Sequence, residues 1–198
     1  VDKNFKKFIK SKRIWCGSST HYPEEKLCGI VHKKLKKKYK NLLTIIIPRH
    51  IERVSEIKTD LEKLNLKIHL DESRKVINEK TDIYLVNSYG KTKSFFSLCN
   101  NVFLGGSIIK HGGQNPLEAV RYGCNILHGP NVSNFEEIYS YLNSQKISFV
   151  VSTENRMYKI LDKLLSSTNN QKNIKKKLNN LGQQILKHYL KEIDNFLK

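Results

Sequence analysis

The sequence lacks any stretch near the roughly 20 apolar residues that a membrane-spanning helix requires. Its aliphatic runs, such as Leu42 to Ile47 and Val102 to Leu104, are short. They suit a buried sheet, and the chain is expected to be soluble. Methionine is nearly absent: the chain opens on Val1 and its one methionine is Met157, which reads as an internal piece of a longer polypeptide. No basic segment leading into an apolar stretch and a small-residue cleavage site opens it, so no secretory signal is expected, although a preceding part could carry a membrane anchor. Cysteine is scarce. Cys16, Cys28, Cys99 and Cys124 form no CxxC pair and no metal-ligand spacing with the seven histidines, so reduced thiols are expected and no metal site. Cys16 and Cys124 lie in apolar runs, where cysteine behaves as a small buried hydrophobe.

Acidic residues are few, 18 against 36 basic ones, for a formal net charge of +18. Such a charge attracts any polyanion. The lysines are scattered, though, and accompany many isoleucines and asparagines, as a bias towards AT-rich codons produces. No RNP-like, helix-turn-helix or zinc pattern accompanies them. Nucleic acid is therefore not the expected partner, and the lysine-rich stretches 33–38 and 172–177 read as solvated helix faces.

What is present is alternation. Arg13 to Gly17 reads as a strand, the small polar residues 18–21 as a turn, and Pro23 to Tyr39 as a helix with apolar spacing at Leu27, Ile30, Val31 and Leu35. The continuous run Leu42 to Ile47 suits a strand covered on both faces, followed by a helix through Ile57, Leu61 and Leu64. Further strands are predicted at 66–70, 83–86, 102–104, 125–127 and 149–151. Helices are predicted at 92–99, 116–122, 135–144 and 154–165. Repeated strand-helix units imply an α/β fold with a doubly wound, mostly parallel sheet. Residues 1–12 read as a linker or lead-in helix, 13–168 as the sheet domain, and 169–198 as a tail. The tail carries one amphipathic stripe, Ile174, Leu178, Leu181, Ile185, Tyr189, Ile193 and Phe196. In doubly wound sheets ligands bind beyond the carboxyl ends of the strands, where loops 18–21, 48–50, 105–115 and 128–134 all belong.

The most informative stretch is VFLGGSIIKHGGQNPLEAVRYGCNILHGP, residues 102–130. After a buried strand, Gly105-Gly106 permits a tight turn and close approach of backbone to a ligand. Gly112-Gly113 leads to Asn115 as an N-cap and Pro116 as the first helical residue, with Glu118 in the first turn. Free amides at such a helix start suit a phosphate, and a nearby carboxylate can accept from ribose hydroxyls.

Trp15 to Glu24 (WCGSSTHYPE), Pro48-Arg49-His50 with Glu52-Arg53, the GGS…GGQNPLE block, and Gly129-Pro130 followed by Asn134-Phe135-Glu136-Glu137 together resemble the Kdo (3-deoxy-D-manno-octulosonic acid) transferase family, over about residues 13–165. Gln114 stands where that family usually has histidine, and Gly90-Lys91-Thr92 is not its commonest form. The resemblance implies the carboxy-terminal, Rossmann-like half of a GT-B glycosyltransferase. Such an enzyme takes CMP-Kdo as donor and a lipid A precursor as acceptor, at the cytoplasmic face of the bacterial inner membrane, peripherally or through an amino-terminal anchor, with no cofactor or essential metal. The acceptor site and general base would lie in the amino-terminal half, so no catalytic residue is assigned here and the chain is expected to bind donor without turnover. Its tail would cross towards that other half. By role, Arg49 is expected to face the donor phosphate or the Kdo carboxylate, because its guanidinium fork suits either anion. Ser19, Thr20 and His21 would line the same anion site. Gly106, Ser107, Gly113 and Asn115 would cradle phosphate and sugar, and Glu118 would hold the ribose. His21 and His50 are expected to hydrogen-bond a ligand or backbone rather than to act as acid and base. Two alternatives stay open: another GT-B transferase or sugar-nucleotide epimerase using a UDP-sugar, or a basic nucleic-acid-binding module.

Overall fold

The computed structural model describes residues 3–71, 76–167 and 173–178. Within them one sheet is formed by β1 (Arg13–Thr20), β2 (Leu42–Pro48), β3 (Ile68–Leu70), β4 (Ile83–Leu85), β5 (Asn101–Leu104), β6 (Asn125–His128) and β7 (Ser148–Val150). Its order is β3-β4-β2-β1-β5-β6-β7, and every pairing is parallel. The mostly parallel sheet expected from the sequence is thus wholly parallel. Strands β2, β3 and β4 lie on one side of β1 and β5, β6 and β7 on the other, which places the topological switch point, and the crevice such folds use for ligands, between β1 and β5.

Alternation along the strands builds two apolar layers, since successive side chains point to opposite faces. Cys16, Leu43, Ile45, Val102 and Ile126 face one layer, and Trp15, Leu42, Ile46, Phe103 and Leu127 the other. Two longer helices cover the second layer, α2 (Glu24–Lys36) and α7 (Glu154–Ser166), with α3 (Val54–Glu62) beside them; Val31, Leu35, Leu61, Met157 and Leu161 are their buried residues. The first layer is covered by α1 (Lys3–Phe8), the one-turn helices α4 (Thr92–Phe96) and α5 (Leu117–Arg121), and α6 (Glu136–Ser144). Burying one such side chain stabilises by about 1.5–3 kcal/mol, so the two layers dominate the folding energetics.

The opening segment is a lead-in helix and not a linker. Phe5 and Phe8 are buried in the core, with the Phe5 ring 4.4 Å from Tyr84 and 5.7 Å from Phe95. At the other end, residues 173–178 are helical. Ile174 is buried in the first layer, Leu178 packs against it, and Lys177 Nζ donates to the Gln145 carbonyl. The first two residues of the tail's stripe therefore dock on this domain's own core. Leu181, Ile185, Tyr189, Ile193 and Phe196 lie outside the described residues.

Two polar features matter for stability. His32, fully buried on α2, sits with Nδ1 2.8 Å from Thr44 Oγ1 and Nε2 3.4 Å from Asp82 Oδ1. Lys36 Nζ lies 3.0 Å from the same Asp82 oxygen, and the Lys67 N–H donates to Asp82 Oδ2. This network ties α2 to β2 and to the start of β4. Burial lowers the His32 pKa, outweighing the opposing pull of Asp82. The four cysteines are all buried and free, and burial pushes the thiols of Cys16, Cys28 and Cys124 up, as expected of buried hydrophobes and not of nucleophiles.

Candidate functional site

The rim at the carboxyl ends of the strands is organised around β1. This strand runs on through Thr20, beyond the end at Gly17 expected from the sequence, because Ser18 and Thr20 are buried and remain paired to β2. Between them Ser19 takes φ +53°, and the β1–β2 register shifts there. That bulge turns the Ser19 side chain out of the ladder and towards the rim. The Arg49 N–H donates to the Thr20 carbonyl, and the Gly105 N–H to the Ser18 carbonyl, so the ends of β1, β2 and β5 are stitched together.

Glu24 holds this rim in place. It is fully buried at the start of α2, and its side chain accepts four backbone N–H groups: His21 at 3.0 Å and Gly106 at 2.8 Å on Oε2, Ser107 at 3.1 Å and Ile108 at 2.9 Å on Oε1. Gly105 has no room for a side chain: an added Cβ would stand 2.4 Å from the Ser19 carbonyl oxygen and 2.6 Å from Glu24 Oε2. Ser107 closes the loop onto the next strand, its hydroxyl donating to the Leu104 carbonyl and accepting from the Gly129 N–H.

Beside this frame lies an open cavity of about 370 Å³, bounded by Ser18 and Ser19 of β1, Arg49 after β2, Thr92 and Phe96 of α4, and Gln114, Asn115 and Glu118 around the start of α5. Four sequence-predicted residues, Ser19, Arg49, Asn115 and Glu118, meet here. Among the described residues no carboxylate pairs with Arg49; Glu52 pairs with His50 at 3.2 Å and Asp71 with Lys91 at 2.7 Å. Glu118 is 44% exposed, with Lys93 Nζ 3.6 Å away. Ser18 Oγ is buried and has no hydrogen-bond partner among the described residues.

The other predicted residues are placed differently. Gly106, Ser107 and Gly113 do not offer free amides to a phosphate, because Glu24 takes the first two and the Gly106 carbonyl takes the third at 2.9 Å. Thr20 is buried, its hydroxyl unpartnered. Asn115 is not the N-cap; Pro116 is, helix α5 starting at Leu117, whose N–H donates to Asn115 Oδ1 at 3.0 Å. With only five residues, α5 contributes little dipole. His21 and His50 stand with ring centroids 5.5 Å apart, and His111, not singled out from the sequence, lies tilted at 42° with its centroid 4.6 Å from that of His21. Among the described residues no group of histidines, cysteines and carboxylates has metal-holding geometry. Beyond the glycine loop a wider groove of about 550 Å³ runs between Lys110 and His111 on one side and Asn131 to Asn134 on the other.

Glu24, His111 and the α4 residues Thr92 and Phe96 were missed as site residues. Glu24 stands inside the WCGSSTHYPE motif, but three of its four partners lie 82 to 84 residues away. A first-turn glutamate carries no local sign of that role.

A wholly parallel, doubly wound sheet with a polar cavity at its switch point and glycines packed against β1 defines the class: the Rossmann-like, carboxy-terminal half of a GT-B fold. Within that class the family likeness is to the Kdo transferases, and the resemblance drawn from the sequence motifs is borne out. The chain is 32% identical to the 3-deoxy-D-manno-octulosonic acid transferase of Haemophilus influenzae over 89% of its length, and 29% identical to that of Rickettsia bellii over 95%. It spans 41% and 46% of those two proteins, less than half of each. In fold it matches the crystal structure of the C-terminal CMP-Kdo binding domain of WaaA from Acinetobacter baumannii, with a TM-score of 0.82, 23% identity, and coverage of 91% of this chain and 94% of that one. No protein-family model matches the chain.

Proposed function

We propose that this chain is the donor-binding half of a glycosyltransferase that moves Kdo from CMP-Kdo to a lipid A precursor, in lipopolysaccharide biosynthesis at the cytoplasmic face of the inner membrane. The observation that carries the reading is the cavity at the switch point, lined by a guanidinium without a carboxylate partner among the described residues (Arg49), a half-exposed carboxylate (Glu118), and Ser18, Ser19 and Asn115. A nucleotide needs both. Arg49 supplies a cation for the phosphate, Glu118 an acceptor for ribose hydroxyls, and Ser18 and Ser19 short hydroxyls between them. The likeness to Kdo transferases supports CMP-Kdo as the nucleotide sugar over a uridine donor.

The acceptor site and the general base belong, on this reading, to the part of the transferase beyond these 198 residues. The chain alone binds donor and does not turn it over. The protein's own residues supply binding and orientation of the leaving nucleotide. Stabilising the charge that grows on the phosphate as the sugar leaves is the task of Arg49. Titration with CMP, UDP and a short oligonucleotide tests the reading. Preference for CMP is the expected result; preference for UDP would indicate a uridine-dependent GT-B enzyme, and oligonucleotide binding that weakens steeply with salt would indicate a basic nucleic-acid module.

A further inference from the structure

The last turns of α2 lie against the first turns of α7. Lys34 Nζ meets the Glu154 carboxylate and stands 2.9 Å from Asn155 Oδ1, while Lys38 Nζ and the Tyr39 hydroxyl meet Asp162 at 2.7 and 2.6 Å. These contacts occupy both carboxylates of α7. The two on α2, Glu24 and Glu25, are buried. The outer surface of the helix pair is left with Lys33, with Lys37 and Lys40 just past the end of α2, and with Arg156, Lys159 and Lys163 of α7, all exposed. Among the described residues no carboxylate pairs with any of these six. Their spacing of three or four residues sets them on one side of each helix, away from the buried Leu35 and Leu161.

The neighbouring surfaces are balanced in charge. On α3, Glu56, Asp60 and Glu62 each have a cation of their own. On the opposite layer, α6 exposes Glu136 and Glu137. Packed helices lie about 8–10 Å apart, so the six cations crowd into a patch roughly 20 Å across, with neighbours about one physiological Debye length from each other. A polyanion laid on this face meets their charges together. No exposed ring stands among them for a base to stack on, since Tyr39 is buried and Tyr158 half-buried. All but Arg156 are lysines, whose point charges on flexible stems suit a plane of headgroups better than a fixed fork would.

From this geometry we infer that the outer face of α2 and α7 is a docking surface for an anionic phospholipid bilayer. The sheet runs parallel to that face, so the cavity at its strand ends opens along the bilayer and is not covered by it. The inference goes beyond the proposed donor and holds whichever nucleotide the cavity takes.

Co-sedimentation with vesicles of phosphatidylcholine, alone and with about 30 mol% phosphatidylglycerol, tests the surface at about 0.1 M salt. Binding is expected to the anionic vesicles only, weakening as salt rises. A basic residue near such a bilayer strengthens binding about fivefold, so Lys33→Gln with Lys37→Gln, and Lys159→Gln with Lys163→Gln, should each weaken it roughly 25-fold. Lys175→Gln with Lys176→Gln removes the same charge from the opposite layer and should weaken it less than about threefold. The two test pairs sit on separate helices, so if one misfolds, seen as a shifted urea midpoint, the other decides. Equal weakening by all three pairs would mean diffuse attraction to net charge and would overturn the assignment. So would absence of binding to anionic vesicles, or tighter binding to a double-stranded oligonucleotide than to vesicles at equal phosphate concentration. CMP affinity is expected to be unchanged in these variants, which separates failure of this surface from failure of the donor site; a parallel loss of CMP binding would assign the lysines to that site instead.

Discussion

Replacing Glu24 should damage both stability and the rim, and by an amount that its four hydrogen bonds bound. In Glu24→Gln one side-chain oxygen becomes an NH2 group that must face two N–H donors, either those of His21 and Gly106 or those of Ser107 and Ile108. Two orphaned amides cost about 1–3 kcal/mol each. Relief of a buried carboxylate's desolvation offsets part of that. A net loss of about 2–3 kcal/mol is expected. Glu24→Ala orphans four amides and leaves a void, and is expected to cost about 4–5 kcal/mol, near the top of the range for single substitutions. Urea unfolding followed by fluorescence suits the measurement, because Trp15 is the one tryptophan and is fully buried. Hydrogen exchange should localise the effect, the amides of residues 106–108 losing protection before those of β2. A Glu24→Ala variant within about 0.5 kcal/mol of the parent would refute the claim that this side chain holds the glycine loop.

Arg49→Ala and Glu118→Ala should each weaken CMP by about tenfold or more while leaving the urea midpoint unchanged, since both side chains sit on the rim; unchanged affinity in both would sink the site assignment. Gly129→Ala should unfold or severely destabilise the domain, because its Cβ would stand 2.1 Å from the Ser107 carbonyl oxygen, a backbone atom that cannot rotate away; a soluble variant with parental stability would contradict the packing described. Stability should also fall on acidification. The pKa of His32 is lower in the folded state than its ordinary value near 6.5, so its contribution is complete above about pH 6.5 and is lost as the pH drops through the lowered value. Burial pushes Asp82 up, but its bonds to His32, Lys67 and Lys36 outweigh this and hold it far below the usual carboxylate range, so its contribution is present above about pH 4 and is lost only in strong acid. A urea midpoint that stayed flat between pH 7.5 and 5 would exclude the His32 contribution.

Where the sequence was legible, one kind of local signal was enough. The run Leu42 to Ile47 has no polar residue on either face except Thr44, and it became the strand β2, buried throughout. The strand-helix alternation around it is set by such runs and by helical apolar spacing, so the parallel architecture followed directly. That Arg49 and Glu118 share one rim was legible because glycine, proline and asparagine mark the loops that carry them, and both line one cavity. The rest depended on contacts between distant residues. Ser18 and Thr20 read as turn residues by type, yet tertiary pairing to β2 kept them in the strand. The amides of Gly106 and Ser107 read as free because nothing near them in sequence could bond them; Glu24 does so from across the fold. The shift of the N-cap from Asn115 to Pro116 is a one-residue matter of where the first helical bond begins, from the Val120 N–H to the Pro116 carbonyl, below what residue type can specify.

The central claim is that the cavity between Ser19, Arg49 and Glu118 holds the nucleotide of the donor. Amide chemical shifts recorded during titration with CMP, in the presence of EDTA, test it most directly. Saturable changes are expected at Ser19, Arg49, Asn115 and Glu118, with β3, α3 and α7 unmoved. Absence of any change at these four residues, or changes confined to the lysine-rich surface of α2, would contradict the account.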